Sequence, residues 1–528
     1  MQQGIRQLPD DLEPVAPAHP TPGRLLEAAD LPWMLGLMGL GLGLRLAWWS
    51  GYGLGDDIIF RHGIAHILTN KNVAADNQAY RFLWWFPTAL SCRFFGLSEV
   101  SMILPIITTA TLGIGLIYLF GKHLYGRAGG VIAALLLVFH PLDFAWSTMI
   151  ASDILVSFVS ALAILFTLRA LEREDRDARR RCWVGAGVCL WLAYHGKVSA
   201  VLLIPAIAVI CALNWRRLDR QVVYFLGTAG IFLGGSALVS YVFASDPIAP
   251  YHAELFFQGL TGPQAVDHRM SSDVFWSYFT WLFRWDHLGN LLFSVYPHLL
   301  VAFALFGWLF GLRTSAAVFF WLLFFFLGMQ LNIQRVEGVW ISGFRNIRHA
   351  HVFVYPIILL LTGYLVGLWA RLPKLTLALL AVLLGFSAWQ SVSTASKTKV
   401  SFEDRRQACS LLATMPPKAL YSDFQIPTWC AIVGIKEPEW RFPQLHSFDG
   451  KQRKAQIATV TSGYLVTGGG REPYYGCWDC IPKAEEVTPR DKWKLLMELP
   501  GPEHPTPWRF EPLRVWERIE EPDAAAGG

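Results

Sequence analysis

The sequence predicts a mainly α-helical, polytopic membrane bundle followed by a small α/β domain, and three observations carry that prediction. Hydrophobic residues make up 53% of the 528-residue chain against 16% charged, with a mean hydropathy of +0.36. Several apolar runs reach the roughly 20 residues that one bilayer crossing takes. Basic residues gather in alternate turns between those runs, as they do where turns face a cytoplasm. The 23 Trp and 14% aromatic content suit belts at the membrane–water interface. A net charge of only +5 gives no electrostatic footprint for nucleic acid.

Taken in order, residues 1–30 are polar and Pro-rich and lack the charged–apolar–small pattern of a cleavable signal, so they read as a disordered cytoplasmic tail. Leu31–Trp49 is the first span, and Arg45 near its end either snorkels or faces the protein interior. Residues 50–99 form a long outward loop. Inside it, Phe82–Phe95 is apolar but short and holds Pro87 and Arg93, which fits an interfacial or re-entrant helix rather than a span. Val100–Phe120 crosses next and ends at Lys122 and Arg127; Ala128–Phe139 returns to His140-Pro141. Ile154–Leu171 crosses again and ends in Glu172–Arg181, with five arginines.

Cys182–Tyr194 and Val198–Asn214 form a hairpin around His195-Gly196-Lys197. Val222–Phe243 leads to a second long loop, residues 244–289, rich in His, Asp, Trp and Tyr. Asn290–Gly311, Ala316–Leu331, His351–Ala370 and Leu375–Val392 complete a transmembrane module over residues 31–392, with about eleven spans in all. In this threading Lys122/Arg127, Arg173–Arg181, Arg216/Arg217/Arg220, Arg313 and Arg371/Lys374 share one side, which the positive-inside rule makes cytoplasmic. Treating Phe82–Phe95 as a full span would reverse that pattern. The N-terminus is then cytoplasmic, and residues 393–528 lie outside the membrane.

That last segment reads as a small soluble α/β domain. Strand-like Ala419–Tyr421, Ala431–Val433, Tyr464–Val466 and Leu513–Trp516 alternate with Pro- and Gly-containing turns and a helical Asp404–Ala413. Cys477-Trp478-Asp479-Cys480 reads as a disulfide, a redox pair or half of a metal site. An outward compartment and the lack of a second half favour a structural disulfide, with Cys409 and Cys430 as further candidates. Cys92, Cys182, Cys189 and Cys211 lie in apolar segments and read as packing residues.

The candidate chemistry gathers on the outward side. Gly55-Asp56-Asp57 places two adjacent carboxylates where the first loop turns into a helix. Asp56 suits an N-cap there, and a carboxylate at a membrane surface also suits a general base acting on a lipid-borne substrate. Asp153 at the mouth of a span has the same two readings, cap or second acid. Lys197, in a tight turn, either snorkels or supplies a point charge for a phosphate. Arg345, Arg348 and His349 precede a span on the side where positive charge is scarce, and a phosphate headgroup would satisfy them, whether an ordinary lipid's or a substrate's. His252, His268 and His287 have no ligand spacing that compels a metal.

These stretches resemble the integral-membrane glycosyltransferases that use polyprenyl-phosphate sugars, in the protein-mannosyltransferase and aminoarabinose-transferase branch of the GT-C superfamily. The resemblance rests on Gly55-Asp56-Asp57, on Phe95-Gly96-Leu97-Ser98-Glu99, on Gly121-Lys122 with Tyr125-Gly126, on Pro141 and Asp153, on Lys197 in its turn, and on Arg345–Pro356. It implies an inverting transfer from a polyprenyl-phosphate-linked donor to a hydroxyl of a protein, lipid or polysaccharide acceptor, at the outer face of a bacterial-type inner or plasma membrane. Asp56 matches the family's base, with Asp57 standing where a Glu is usual, and Asp153 matches the second acid. Lys197, Arg345 or Arg348 would stabilise the departing lipid phosphate. The aminoarabinose branch carries Glu-Lys-Pro-Pro before the loop helix; here Ala79-Tyr80-Arg81-Phe82 stands in that place, where Arg81 could replace the Lys. The loss of that Glu removes a ligand for a loop-bound divalent cation, Mg or Mn, and leaves the cofactor open. The rival readings are a transporter or flippase of lipid-linked saccharides and a non-catalytic assembly subunit. A transporter calls for mid-membrane charges and an internal repeat, whereas the polar candidates here cluster at one interface.

Overall fold

The computed structural model describes residues 25–51, 56–69, 81–150, 152–249, 252, 316–330, 333–336, 339–342, 351–422, 426–432, 435, 439–443, 445, 450–469, 482–500 and 511–519. The expected loop over residues 244–289 and the expected span Asn290–Gly311 fall largely or wholly outside these residues, so the span count stays an expectation.

Helix α1 covers Leu31–Ala47, α2 Asp56–Leu68 and α3 Phe82–Phe95. The loop helix read from the sequence thus has the bounds expected of it, and its exposed face is mainly apolar. Trp84, Thr88, Ala89 and Cys92 are buried while Phe86, Leu90, Phe94 and Phe95 are exposed. Ser98 caps the next helix, its hydroxyl accepting from the Ser101 amide at 3.2 Å.

Helix α4, Glu99–Val138, holds two expected spans in one element. Its backbone leaves helical geometry at Gly126, where φ is +78°. That conformation is natural to glycine and strained for a side chain carrying Cβ. The two arms fold back on one another at small residues: a Cβ on Gly121 would lie 2.7 Å from the Gly129 carbonyl oxygen, so only glycine lets the backbones approach so closely.

A short helix α5, Pro141–Trp146, leads into α6, Ser152–Glu172. Helix α7, Arg176–Tyr194, is capped by Asp175, whose carboxylate accepts from the Ala178 amide at 2.9 Å. A 3-10 turn Val198–Leu202 precedes α8, Leu203–Leu213, and α9 is Val222–Ala244. Helix α10 is Ala316–Gln330; strands β1 (Ile333–Val336) and β2 (Val339–Ser342) form an antiparallel hairpin; α11 is Val354–Trp369. Among the described residues five helices are long and apolar enough to cross a membrane: Glu99–Val138, Ser152–Glu172, Val222–Val242, His351–Trp369 and Pro373–Ser396. The chain is an integral membrane protein.

Helix α12, Pro373–Leu412, continues through the expected end of the last span at Val392. It runs unbroken for 40 residues, about 60 Å at 1.5 Å per residue, and delivers the chain into the sheet region. There β3 (Leu420–Tyr421), β4 (Tyr464–Gly469), β5 (Trp493–Leu499) and β6 (Glu511–Arg518) pair in the order β3-β4-β6-β5, parallel only between β3 and β4. Residues Ala431 and Ile432, read as strand, belong to helix α13, Ile426–Ile432, and α14 is Gly450–Thr459. Cys409 and Cys430 form a disulfide that ties α12 to α13. Cys477 and Cys480 lie outside the described residues.

The core follows from these faces. One large cluster fills the bundle between α4, α6, α7, α8, α10 and α11. A second cluster joins α2, α3, the start of α4, residues 150–155, the end of α12 and one face of the sheet. Strand alternation divides the sheet: Tyr464, Val466, Leu513 and Val515 point into that second cluster, while Leu465 and Trp516 point into a third.

The opposite end of the bundle is fastened by charge. Asp30, fully buried, accepts from Arg127 Nε at 2.9 Å, from the Tyr118 hydroxyl at 3.1 Å and from the Glu27 amide at 2.8 Å, and it also pairs with Lys122. Burial opposes the charge on Asp30, but Lys122, the Glu27 amide, Arg127 and Tyr118 outweigh it and hold the carboxyl well below its usual range. His123 approaches Glu172 at 3.4 Å, and Arg179 pairs with Asp219. These contacts collect residues 27–30, 122–127, 172–179 and 219 at one end, which joins three of the five basic groups of the sequence threading.

Candidate active site

At the other end, α7 stops at Tyr194 and the chain turns through His195-Gly196-Lys197. The Lys197 amide still donates to the Ala193 carbonyl at 2.9 Å, and the Leu83 amide of α3 donates to the His195 carbonyl at 3.3 Å. Gly196 is required by space: a Cβ there would sit 2.5 Å from Val156 Cγ2 and 2.7 Å from Leu83 Cδ2. The turn is therefore wedged between α3 and α6, and it aims Lys197 at the first turn of α6. Lys197 Nζ lies 2.7 Å from Asp153 Oδ1, with the two side chains 7% and 4% exposed. Both readings of Lys197 made on sequence, snorkelling or a phosphate charge, meet a cation that already has a buried carboxylate as partner.

Behind this pair runs a second buried polar chain. Arg45 pairs with Asp143 Oδ2 and donates to the Gly41 carbonyl at 3.0 Å, so it faces the interior. Asp143 Oδ1 lies 2.9 Å from His351 Nε2, and His351 Nδ1 lies 2.8 Å from the Ser157 hydroxyl. That hydroxyl is also 2.8 Å from the Asp153 carbonyl oxygen. Burial works against the Asp143 carboxylate, but Arg45 and His351 outweigh it and keep its pKa below the ordinary value. His140 caps α5, accepting from the Asp143 amide. Burial, with help from His351 and Arg45 and against the pull of Asp143, brings its pKa down to about 3 and keeps it neutral. Sequence reasoning left Asp143 without a role. The signal was an ionisable residue in an otherwise apolar stretch, which in a membrane protein calls for a partner.

Asp56 and Asp57 are the first two residues of α2; their carboxylates are outside the described side chains. The helix they start is held at the site by Phe60 and Ile64, which share a core cluster with Trp84, Ile150, Ile154 and Leu155. Phe60 and Trp84 meet with ring centroids 4.4 Å apart. Arg81, nine-tenths buried, places its guanidinium 5.9 Å from the centre of the Phe60 ring. The structure thus brings the elements bearing Asp56, Asp57, Arg81, Asp153 and Lys197 to one place. Arg345, Arg348 and His349 lie outside the described residues.

Beside the pair, Phe82, Leu83, Phe86 and Pro87 of α3 face Thr109, Leu155, Phe158, Val159 and Leu192 across an apolar groove of about 290 Å³. The described residues do not fit a divalent cation. No three His, Cys, Asp or Glu side chains converge among them, and Asp153 is already neutralised by Lys197.

Residues 82–241 match the sequence pattern of the dolichyl-phosphate-mannose-protein mannosyltransferase family. No curated protein sequence matches the chain. The fold is similar to that of ArnT from Cupriavidus metallidurans in the apo state, with a TM-score of 0.55 at 13% identity over 94% of this chain and 100% of that one. The same protein bound to undecaprenyl phosphate gives 0.56 at 14% identity with the same coverage. An oligosaccharyltransferase of Archaeoglobus fulgidus, in complex with Zn and sulfate, gives 0.51 at 13% identity over 90% of this chain and 73% of that one. The chain shares the fold of ArnT and of the Archaeoglobus oligosaccharyltransferase, and the mannosyltransferase pattern spans α3 to α9, taking in the motifs from Phe95 to Lys197 but neither Gly55-Asp56-Asp57 nor Arg345–Pro356.

Proposed function

We propose that the protein is an inverting glycosyltransferase that moves a sugar from a polyprenyl-phosphate donor to an acceptor hydroxyl at the outer face of the membrane. The observation that carries this reading is the enclosed Asp153–Lys197 pair, docked against the helices that start at Asp56 and Phe82, at one end of a GT-C fold. Asp56 removes the proton from the acceptor hydroxyl, with Asp57 beside it. The acceptor oxygen attacks the anomeric carbon as the bond from that carbon to the phosphate oxygen breaks. The bonding pair leaves on the lipid phosphate, and the proton stays on Asp56. Asp153 orients the acceptor or the base.

Cations near the bilayer edge stabilise the leaving phosphate, where low dielectric strengthens each interaction. Arg81, beside the Phe60 ring at the start of α3, is assigned this role, and Arg345, Arg348 and His349 are assigned the same role from sequence. The groove beside α3 is apolar along its length, which suits a prenyl chain. Support for a lipid-phosphate donor also comes from the undecaprenyl phosphate bound to the similarly folded ArnT. The grouping of basic turns at the far end supports a cytoplasmic N-terminus by the positive-inside rule.

Replacing Asp56 by Asn tests the assignment. The variant should insert and fold as the parent does while transfer from a polyprenyl-phosphate sugar falls by about 10²- to 10⁴-fold, the usual contribution of a general base. Unchanged turnover in a purified, reconstituted preparation rules out Asp56 as the base.

A further inference from the structure

The Ser157 hydroxyl has two partners. The bond to the carbonyl four residues back is commonplace in buried helices, and Thr167 makes the same one to Ala163 at 2.8 Å. What distinguishes Ser157 is its second contact, at 2.8 Å, to a histidine 194 residues away that begins another span. Through His351 the contact continues to Asp143 and Arg45, so α6 is tied to α1, α5 and the start of the His351–Trp369 helix by one line of polar contacts. All four side chains are buried, at 2% exposure or less. A serine, a histidine and an aspartate in series also suggest a nucleophile, but Ser157 is fully enclosed and its proton faces the helix carbonyl or the imidazole, not a cavity.

Proton counting makes the chain directional. With the ring proton on Nε2, His351 donates to Asp143 and Nδ1 accepts the Ser157 proton; with both nitrogens protonated, that hydroxyl is released to the Asp153 carbonyl. Only in the second arrangement does the chain of donors reach the residue whose carboxylate meets Lys197; in the first it stops at Ser157. Ser157 is placed to set the rotation of the first turn of α6, since its hydroxyl meets the Asp153 carbonyl and the two residues lie one helical turn apart on one face.

We propose that Ser157 and His351 are positioning residues for the proposed site, holding the first turn of α6 so that the Asp153 carboxylate stays closed onto the Lys197 ammonium. The inference rests on the functional reading only for its consequence in catalysis; its geometric content stands apart from it.

The test uses the full chain in lipid nanodiscs and a lysine-acylating reagent, with labelling of each lysine read by mass spectrometry. In the parent, Lys197 should label far more slowly than Lys418. Ser157→Ala should raise Lys197 labelling by about tenfold, the effect of losing one buried hydrogen bond, with Lys122 and Lys418 unchanged. His351→Gln should do the same, and Ser157→Thr, which keeps the hydroxyl, should stay near the parent. Unchanged protection of Lys197 in both Ser157→Ala and His351→Gln overturns the proposal. Faster labelling of Lys122 and Lys418 as well overturns it too, because the chain would then merely hold the bundle together. Undecaprenyl phosphate titrated into the same nanodiscs separates the two claims: no binding by the parent defeats the functional reading and leaves the labelling result to decide this one.

Discussion

Lys197 Nζ and Asp153 Oδ1 are 2.7 Å apart, joining a turn between two spans to the mouth of a third within a nearly closed interior. Opposite charges held this way are strongly interdependent. Removing one leaves the other buried without compensation, whereas removing both restores an apolar contact. Lys197→Met alone should therefore destabilise the protein by about 3–5 kcal/mol, and Asp153→Leu added to it should recover most of that loss. Thermal unfolding in detergent measures both. Equal melting temperatures for parent and Lys197→Met would mean that water reaches the pair.

Gly196 makes that closeness feasible, and its replacement has a defined cost. An added Cβ meets Val156 Cγ2, on a stiff β-branched side chain, so relief must come from moving the turn or Leu83. Gly196→Ala should cost about 1–3 kcal/mol and loosen α3 from the turn. Gly227→Ala in α9, where a Cβ meets nothing within 4 Å, should instead be neutral or slightly stabilising. The contrast between the two variants is read by melting temperature.

Much of this arrangement was legible in the sequence, for reasons that differ by element. Apolar length marks the five helices long enough to cross a membrane among the described residues, and Phe82–Phe95 stands out as a helix too short to cross. Hydropathy falls over residues 393–412, yet the helix continues there, since Ser, Thr, Lys and Glu tolerate helical backbone once the preceding turns are formed. Strand Trp493–Leu499 escaped notice because a register shift between Leu495 and Met497 breaks its alternation. Arg45 was known to need either the membrane edge or an interior partner. Nothing local names Asp143 as that partner, 98 residues on, or His351 as the next link, 208 residues beyond Asp143.

The cations assigned to the donor phosphate are predicted to act on the donor alone. Arg81→Ala should raise the KM for a polyprenyl-phosphate sugar by about tenfold or more, the range for a hydrogen bond to a charged group, with the acceptor KM unmoved. Arg345→Ala and Arg348→Ala should behave alike. Steady-state kinetics with each substrate varied in turn distinguishes the cases, and a change confined to the acceptor KM would remove these residues from the phosphate role.

At the far end of the bundle, Asp30 yields a prediction about pH. Its carboxyl is held below the ordinary value of 3.8 in the folded protein, so the folded state binds its proton less readily than the unfolded chain does. The stabilisation this provides is fully present above that ordinary value and declines as pH falls below it toward the folded value. Asp30→Asn should thus lower stability at neutral pH by about 1–3 kcal/mol, leaving Lys122 and Arg127 with only the more exposed Glu27 as a shared carboxylate. The gap in melting temperature between parent and variant should narrow on passing from about pH 6 to about pH 3, because the parent loses there what the variant never had. Since Asp30 is far from the Asp153 turn, the variant should keep the parent's turnover once folded. A gap that widens on acidification would show that Lys122 and Arg127 do not hold the Asp30 carboxylate as described.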